Sequence, residues 1–235
     1  PTAVDSEPSR AENSFFWSVP EEHNLTEVLR CQQRFVDRVL CHTLRYDHVL
    51  YCIDNETMVT PKWSEYWARH ARQRAAEQRK TVYITEMRDP KDMRDPEHLH
   101  IIDRPDLFDY VEITQNNLNF GRAHYDGIQY VRSRVAATPR PLSNVKIYGS
   151  TYFGSRQDGM ARFWRNILGG AASARFHEKH LGFSDAAQQM IRSARAVTAA
   201  FDLFACEPRQ DLLHMDGEDT AYCLARPGRE YAVYF

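Results

Sequence analysis

Apolar and polar positions along the chain alternate between two rhythms. Leu25, Val28, Leu29, Phe35, Val36, Val39 and Leu40 recur at helical spacing, with Asn24 and Glu27 placed as an N-cap and its partner three residues on. Residues 48–53 then form a short, apolar, β-prone run that ends in Asp54-Asn55-Glu56-Thr57. A continuous apolar run suits a strand covered on both faces, as in a parallel sheet. Thr60-Pro61 starts the next helix with proline at its first position, and Trp63, Tyr66, Trp67, His70 and Ala71 share one face. A second strand, 81–85, ends at Glu86, and the charged, Pro-rich stretch 88–106 reads as a long loop. The rhythm continues with strand 109–114 running into Gln115-Asn116-Asn117, and a helix over 123–135 with Ile128, Val131 and Val135 inward. Strand 144–148 is stopped by Gly149. A helical stripe of Met160, Phe163, Trp164, Ile167 and Leu168 precedes the small-residue strand 171–176. A last helix carries Ala187, Met190, Ile191, Ala194, Val197 and Phe201.

Repeated strand–helix steps predict an α/β fold with a parallel sheet and helical crossovers. Periodicity leaves a closed barrel and an open doubly wound sheet both standing. Polar residues gather just after the strands' C-terminal ends, where either architecture places its site. Neither GxGxxG nor GxxxxGK[ST] occurs, which argues against dinucleotide and P-loop folds. At the end of the chain, 220–225 and 231–235 flank Arg226-Pro227-Gly228 as a predicted hairpin, either the first strands of an appended β domain or a barrel-closing patch.

Composition narrows the function classes. Lys and Arg number 30 against 32 Asp and Glu, a net charge of -2, so no basic field invites nucleic acid or an anionic membrane surface. No stretch reaches the length of a membrane span. The 235 residues suffice for one sizeable core. Five spread cysteines without a CxxC pair, Cys52 among them within an apolar run, read as buried thiols rather than a disulfide framework or zinc site. Residues 1–13 lack the basic and apolar segments of a signal peptide, and both ends of the sequence are abrupt, so the chain is expected to be part of a longer protein. Export is expected if that protein carries a signal peptide; oligomeric state is not legible.

Cleaving a glycosidic bond needs a carboxylic acid to protonate the leaving oxygen and a second carboxylate as nucleophile or base. Glu56, Glu86 and Glu112 close successive strands and are the catalytic candidates; ion pairing or capping is the blander role for each. Asn55, Gln115, Asn116, Tyr148, Arg175 and His177 sit at or just after strand ends and offer donors and acceptors for sugar hydroxyls, loop capping being their alternative. Trp63, Trp67 and Trp164 fall in or beside helical stripes as core residues; Trp17, in a Pro-bounded loop, is the candidate stacking platform. His98-Leu99-His100, His124-Tyr125-Asp126 and the pair His177 and His180 are of metal-ligand type, but they lie in a loop and a helix start rather than across several strand ends, so no metal or other cofactor is expected. A Ser–His–Asp hydrolase lacks its GxSxG elbow.

Val49-Leu50-Tyr51-Cys52-Ile53-Asp54-Asn55-Glu56 resembles the fourth strand of clan-A glycoside hydrolases, which ends in Asn-Glu with the Glu as acid/base. The wider run, with Arg162-Phe163-Trp164-Arg165-Asn166, Gly169-Gly170-Ala171-Ala172 and 221–235, resembles the apiosidase-like branch, whose barrel is followed by a β-sandwich labelled for collagen binding. The resemblance implies a (β/α)8 barrel present from its third βα loop onward, with strands four to eight at 48–55, 81–86, 109–114, 144–148 and 171–175. It assigns 1–215 to the barrel and 216–235 to the appended domain or closing hairpin. It also implies a hydrolase of plant or microbial oligosaccharides or polysaccharides with Glu56 as acid/base. The family's nucleophile ends strand seven, where this chain has Lys146-Ile147-Tyr148-Gly149. Glu86 or Glu112, or sequence beyond this chain, then supplies the second carboxylate; the alternatives are a carbohydrate-binding barrel without hydrolysis and a metal-dependent hydrolase. Lys146 is placed to pair with a nearby Glu and depress its pKa. Asp158 reads as a helix-start residue.

Overall fold

A hydroxyl cap, a proline and an apolar face act together in the helix that follows the first strand. Thr60 is its N-cap, with the side chain accepting from Trp63 N, and Pro61 occupies the first turn, where its missing N–H costs nothing. The computed structural model describes residues 14–57, 59–147, 154–177, 184–214 and 221–235, and these fold as two units of mixed α/β structure. The division falls inside the short strand Val111–Glu112.

The first unit holds residues up to Pro90 together with Asp95–Val111. Helix α1 (Thr26–Thr43), strand β1 (Leu50–Cys52), helix α2 (Pro61–Glu77), strand β2 (Tyr83–Thr85) and helix α3 (Pro96–Ile102) follow one another. Strands β1 and β2 pair in parallel, Leu50 opposite Tyr83 and Cys52 opposite Thr85, with α2 as the crossover. Phe16, Val19, Leu29, Val59, Trp63 and Trp67 form the core. Several sequence expectations change here. Asn24 does not cap α1: it adopts φ +50° and donates its N–H to Val19 O, so Leu25 takes the cap position with no side-chain bond. Trp17 lies in the 3-10 turn Ser14–Trp17, against the core and 4.0 Å from the His23 ring, rather than in an open loop. The charged stretch after Arg88 contains α3, started by Asp95, which accepts from Glu97 N, and by Pro96. Strand β1 exposes Leu50 and Cys52; Cys31 and Cys41 on α1 are exposed too, so only Cys206 and Cys223 are buried, and none of the five forms a disulfide.

The second unit holds Lys91–Arg94 and Glu112–Phe235. Strand β3 (Val111–Glu112) leads into a 3-10 turn, Thr114–Leu118; then come α4 (Gly121–Arg134), β4 (Leu142–Ser143), α5 (Arg156–Leu168) and α6 (Asp185–Ala200). Asp158 starts α5 as expected, forming a reciprocal capping box with Ser155. Beyond β4, Ile147 bridges in parallel to Phe176, with Ile147 N donating to Arg175 O and His177 N to Ile147 O. Strands β5 (Glu207–Pro208), β6 (Tyr222–Arg226) and β7 (Glu230–Tyr234) form an antiparallel sheet, and Tyr222 and Leu224 pack with Tyr125, Leu168 and Cys206.

The sheets among the described residues have two, two and three strands, and they do not close into a barrel. The strands are short because several N–H groups beside the ladders are taken by side chains. Ile84 N donates to Asp109 Oδ2 (2.7 Å), Met87 N to Asp54 Oδ1 (3.1 Å), Asn144 N to Ser173 Oγ (2.8 Å) and Val145 N to Thr114 Oγ1 (2.9 Å). Each group is satisfied, but not as a backbone rung.

A close approach fixes the 3-10 turn of the second unit. A Cβ built on Gly127 of α4 would lie 2.2 Å from Asn116 Oδ1, and Asn116 is wholly buried with its Nδ2 donating to His124 O. Gly127→Ala is expected to destabilise the protein by about 1–3 kcal/mol, the usual cost of overpacking a closed interior; chemical denaturation that leaves the midpoint unchanged would refute the contact.

Candidate functional site

Each unit concentrates buried polar groups at the ends of its strands. In the first, β1 runs out into Asp54-Asn55-Glu56-Thr57 and β2 into Glu86-Met87-Arg88, with Thr57 and Arg88 bridged in parallel. Asn55 is exposed and Glu56 half-buried, in a left-handed backbone at φ +54° that a non-glycine residue adopts at a cost of about 1–2 kcal/mol. Asp54 holds this turn: one carboxylate oxygen accepts from Met87 N at 3.1 Å and the other from the Thr57 hydroxyl.

Glu86 differs sharply from Glu56. Its side chain is 0% exposed and lies on the guanidinium of Arg88, also 0% exposed, with Nε to Oε1 at 2.7 Å. Arg88 further donates to Val59 O and, at 3.4 Å, to Ser64 Oγ of α2, and its Nη1 lies 3.0 Å from a Glu97 oxygen of α3. His100 Nε2 stands 3.9 Å from Glu86 Oε1. Burial pushes the Glu86 carboxyl up to about 8 against the pull of Arg88, with the Asp54 charge adding to the rise. Burial, with Arg88 beside it, draws His100 down to about 4, so its imidazole is neutral near pH 7. Asp54 is raised by burial and restrained by Thr57 and Arg88. Asp54, Arg88 and His100 were missed as a group because the fold alone brings Asp54 and His100 to Glu86; Arg88, two residues after the strand-end Glu86, was the available signal.

In the second unit Glu112 is 3% exposed. Its Oε1 accepts from Thr114 N at 2.8 Å and from the Thr114 hydroxyl, which itself accepts from Val145 N. Burial raises Glu112 to about 7; hydrogen bonds from Thr114 and Ser143 oppose it, and the Lys146 charge adds the small lowering the sequence suggested. Beside it three buried asparagines close on one another. Asn117 Nδ2 donates to Asn144 Oδ1 (2.8 Å) and Lys146 O (2.9 Å), Asn144 Nδ2 to Asn166 Oδ1 (3.0 Å), and Asn166 Nδ2 to Asn117 Oδ1 (3.0 Å). Arg165 Nε donates to His124 Nδ1 at 3.2 Å, which leaves Nε2 to donate to Asn117 Oδ1 at 2.9 Å. That imidazole is held neutral by burial and by Arg165 and Arg162. Arg162, Arg165 and Asn166 entered the sequence reading only within the segment Arg162-Phe163-Trp164-Arg165-Asn166 that carries the resemblance.

The remaining sequence candidates are spread. Gln115 and Asn116 are buried in the 3-10 turn, and the Asn116 side chain serves that turn, bonded to His124 O and to Asn119. Arg175 and His177 are exposed on either side of Phe176. Tyr148 and His180 lie outside the described residues. Among the described residues no three His, Cys, Asp or Glu side chains gather as metal ligands, and no helix is long and apolar enough to cross a membrane. His98 is bound to Pro90 O. No known family, characterised protein or solved structure matches the chain.

Two measurements probe these groups. Arg88→Met leaves Glu86 without its cation and is expected to cost about 3 kcal/mol in urea unfolding, part of it recovered in Arg88→Met/Glu86→Gln; equal loss in both variants would refute the pair. A carboxyl raised to about 7 in the fold keeps its proton where the unfolded chain has lost it, so Glu112 contributes stability at low pH that declines as pH rises from about 4.5 through about 7. Glu112→Gln should therefore flatten the fall in stability between pH 5 and 8, on the order of 3 kcal/mol; an unchanged pH slope would contradict the shift.

Proposed function

We propose that the chain is part of a glycoside hydrolase acting on a plant or microbial glycan, with Glu56 as the general acid/base and its strand segments forming strands four to eight of a (β/α)8 barrel. The observation that carries this reading is the setting of Glu56. Of the three strand-end glutamates it alone keeps access to solvent, and it does so on a left-handed backbone just past the C-terminal end of a parallel strand. Such backbone outliers persist where surrounding structure over-determines them, and they concentrate at sites of function. The parallel β1–α2–β2 step, and the parallel bridge across α5 between Ile147 and Phe176, support the barrel. The Asn-Glu ending supports the acid/base role by resemblance. Asn55, exposed beside Glu56 just past the end of β1, is the candidate for hydroxyl recognition in the same unit.

A second reading, a carbohydrate-binding protein without hydrolysis, is favoured by the enclosure of Glu86 and Glu112 and by Lys146 at the position of the family's nucleophile. Glu56→Gln in the full-length protein separates the two. A general acid contributes about 10²–10⁴-fold, so turnover of a glycan substrate should fall by that factor with binding retained. Undiminished turnover would remove Glu56 from the mechanism; glycan binding with no product from the wild type across a broad glycoside panel would support the binding reading instead.

A further inference from the structure

We propose that Asp54 is the positioning residue for Glu56: it ties the strand-end turn to the neighbouring strand and so holds Glu56 in the left-handed backbone from which its carboxyl works. This rests on the reading of Glu56 as acid/base. Four residues, Asp54 to Thr57, leave β1, and both ends of that turn are fastened to the residues that leave β2. At one end Asp54 Oδ1 accepts Met87 N at 3.1 Å; at the other Thr57 N faces Met87 O at 3.5 Å and Thr57 bridges Arg88. The second Asp54 oxygen closes the turn on itself through the Thr57 hydroxyl. Ile53 N donates to Thr85 O at 2.9 Å, so the parallel ladder runs to the residue before Asp54 and the carboxylate continues it in place of a backbone carbonyl. Asn55 and Glu56 are thereby the two residues left to span a loop whose ends are fixed, and the geometry is met with Glu56 at φ +54°. An aspartate suits this task because its two oxygens accept from two donors at once. Without it the turn loses the bond to Met87 N and its closure on the Thr57 hydroxyl, and Glu56 relaxes away from a conformation that an L residue avoids. A misplacement of about 1 Å suffices for a loss near 10²-fold.

The test compares Asp54→Ala, Asp54→Asn and Thr57→Val in the full-length protein, with Glu56→Gln alongside. Asp54→Ala removes the tether and is expected to lower kcat by ~10–100-fold with KM within about twofold. Asp54→Asn keeps an oxygen for Met87 N and reverses the bond to Thr57, so it should restore kcat to within about threefold of the wild type. Thr57→Val, which keeps shape and loses only the hydroxyl, should fall between them, and it carries the test if Asp54→Ala does not fold. Wild-type kcat in Asp54→Ala or in Thr57→Val overturns the proposal, as does an Asp54→Asn variant as slow as Asp54→Ala. Should Glu56→Gln turn over normally, the acid/base reading fails, and the tether is judged by the crystal structure of Asp54→Ala: Glu56 displaced from positive φ supports it, Glu56 unmoved overturns it.

Discussion

An arginine sealed from water needs partners for its N–H donors inside the protein, because leaving a buried cation short of hydrogen bonds costs several kcal/mol. Arg88 recruits Glu86 from its own strand end, Val59 O from the loop before α2, Ser64 from α2 and Glu97 from α3. The consequence extends outward from the guanidinium: Val59 and Trp63 are brought into the core beside Trp67, and the strand end is closed on one side, leaving Glu56 as the glutamate with solvent access. The chemical character of Glu86 follows too. Beside a fixed cation and a neutral imidazole, it is an internal hydrogen-bond partner of Arg88 rather than a group presented to a substrate.

The second unit meets a similar demand with three buried asparagines that bond one another. Asn117 uses both amide hydrogens and accepts two bonds at its oxygen, and His124 has one tautomer open to it once Arg165 donates to Nδ1. A network satisfied in this way specifies one arrangement, since any rotation of one amide leaves several groups unpaired. It also holds the backbone of Lys146, whose carbonyl accepts from Asn117 Nδ2.

Much of this order was legible in the sequence, and the omissions have physical causes. The stripes of α2, α4, α5 and α6 and the place of Asp158 at the start of α5 follow from local rules of spacing and capping. The failures lie where tertiary bonds decide. Asn24 has the side chain of a cap but its backbone is committed to Val19, and Cys52 sits in an apolar run yet faces outward. In the first unit the ends of β1 and β2 were placed by pattern, whereas the expected strands 144–148 and 171–176 reduce to the single bridge of Ile147 with Phe176; the difference between Glu56 and Glu86 was not legible, because Val59, Ser64, Glu97 and His100, which surround the Glu86–Arg88 pair, come from other elements. No periodicity reports on that.

Strand ends fastened by side chains have one more implication. A ladder of backbone bonds is indifferent to mutation, since every residue but proline supplies the same N–H and C=O. Here the rungs at Ile84, Met87, Asn144 and Val145 are written in Asp109, Asp54, Ser173 and Thr114. Evolution can therefore edit the sheet margins one codon at a time, loosening or re-aiming a single strand end while the rest of the fold stays as it was.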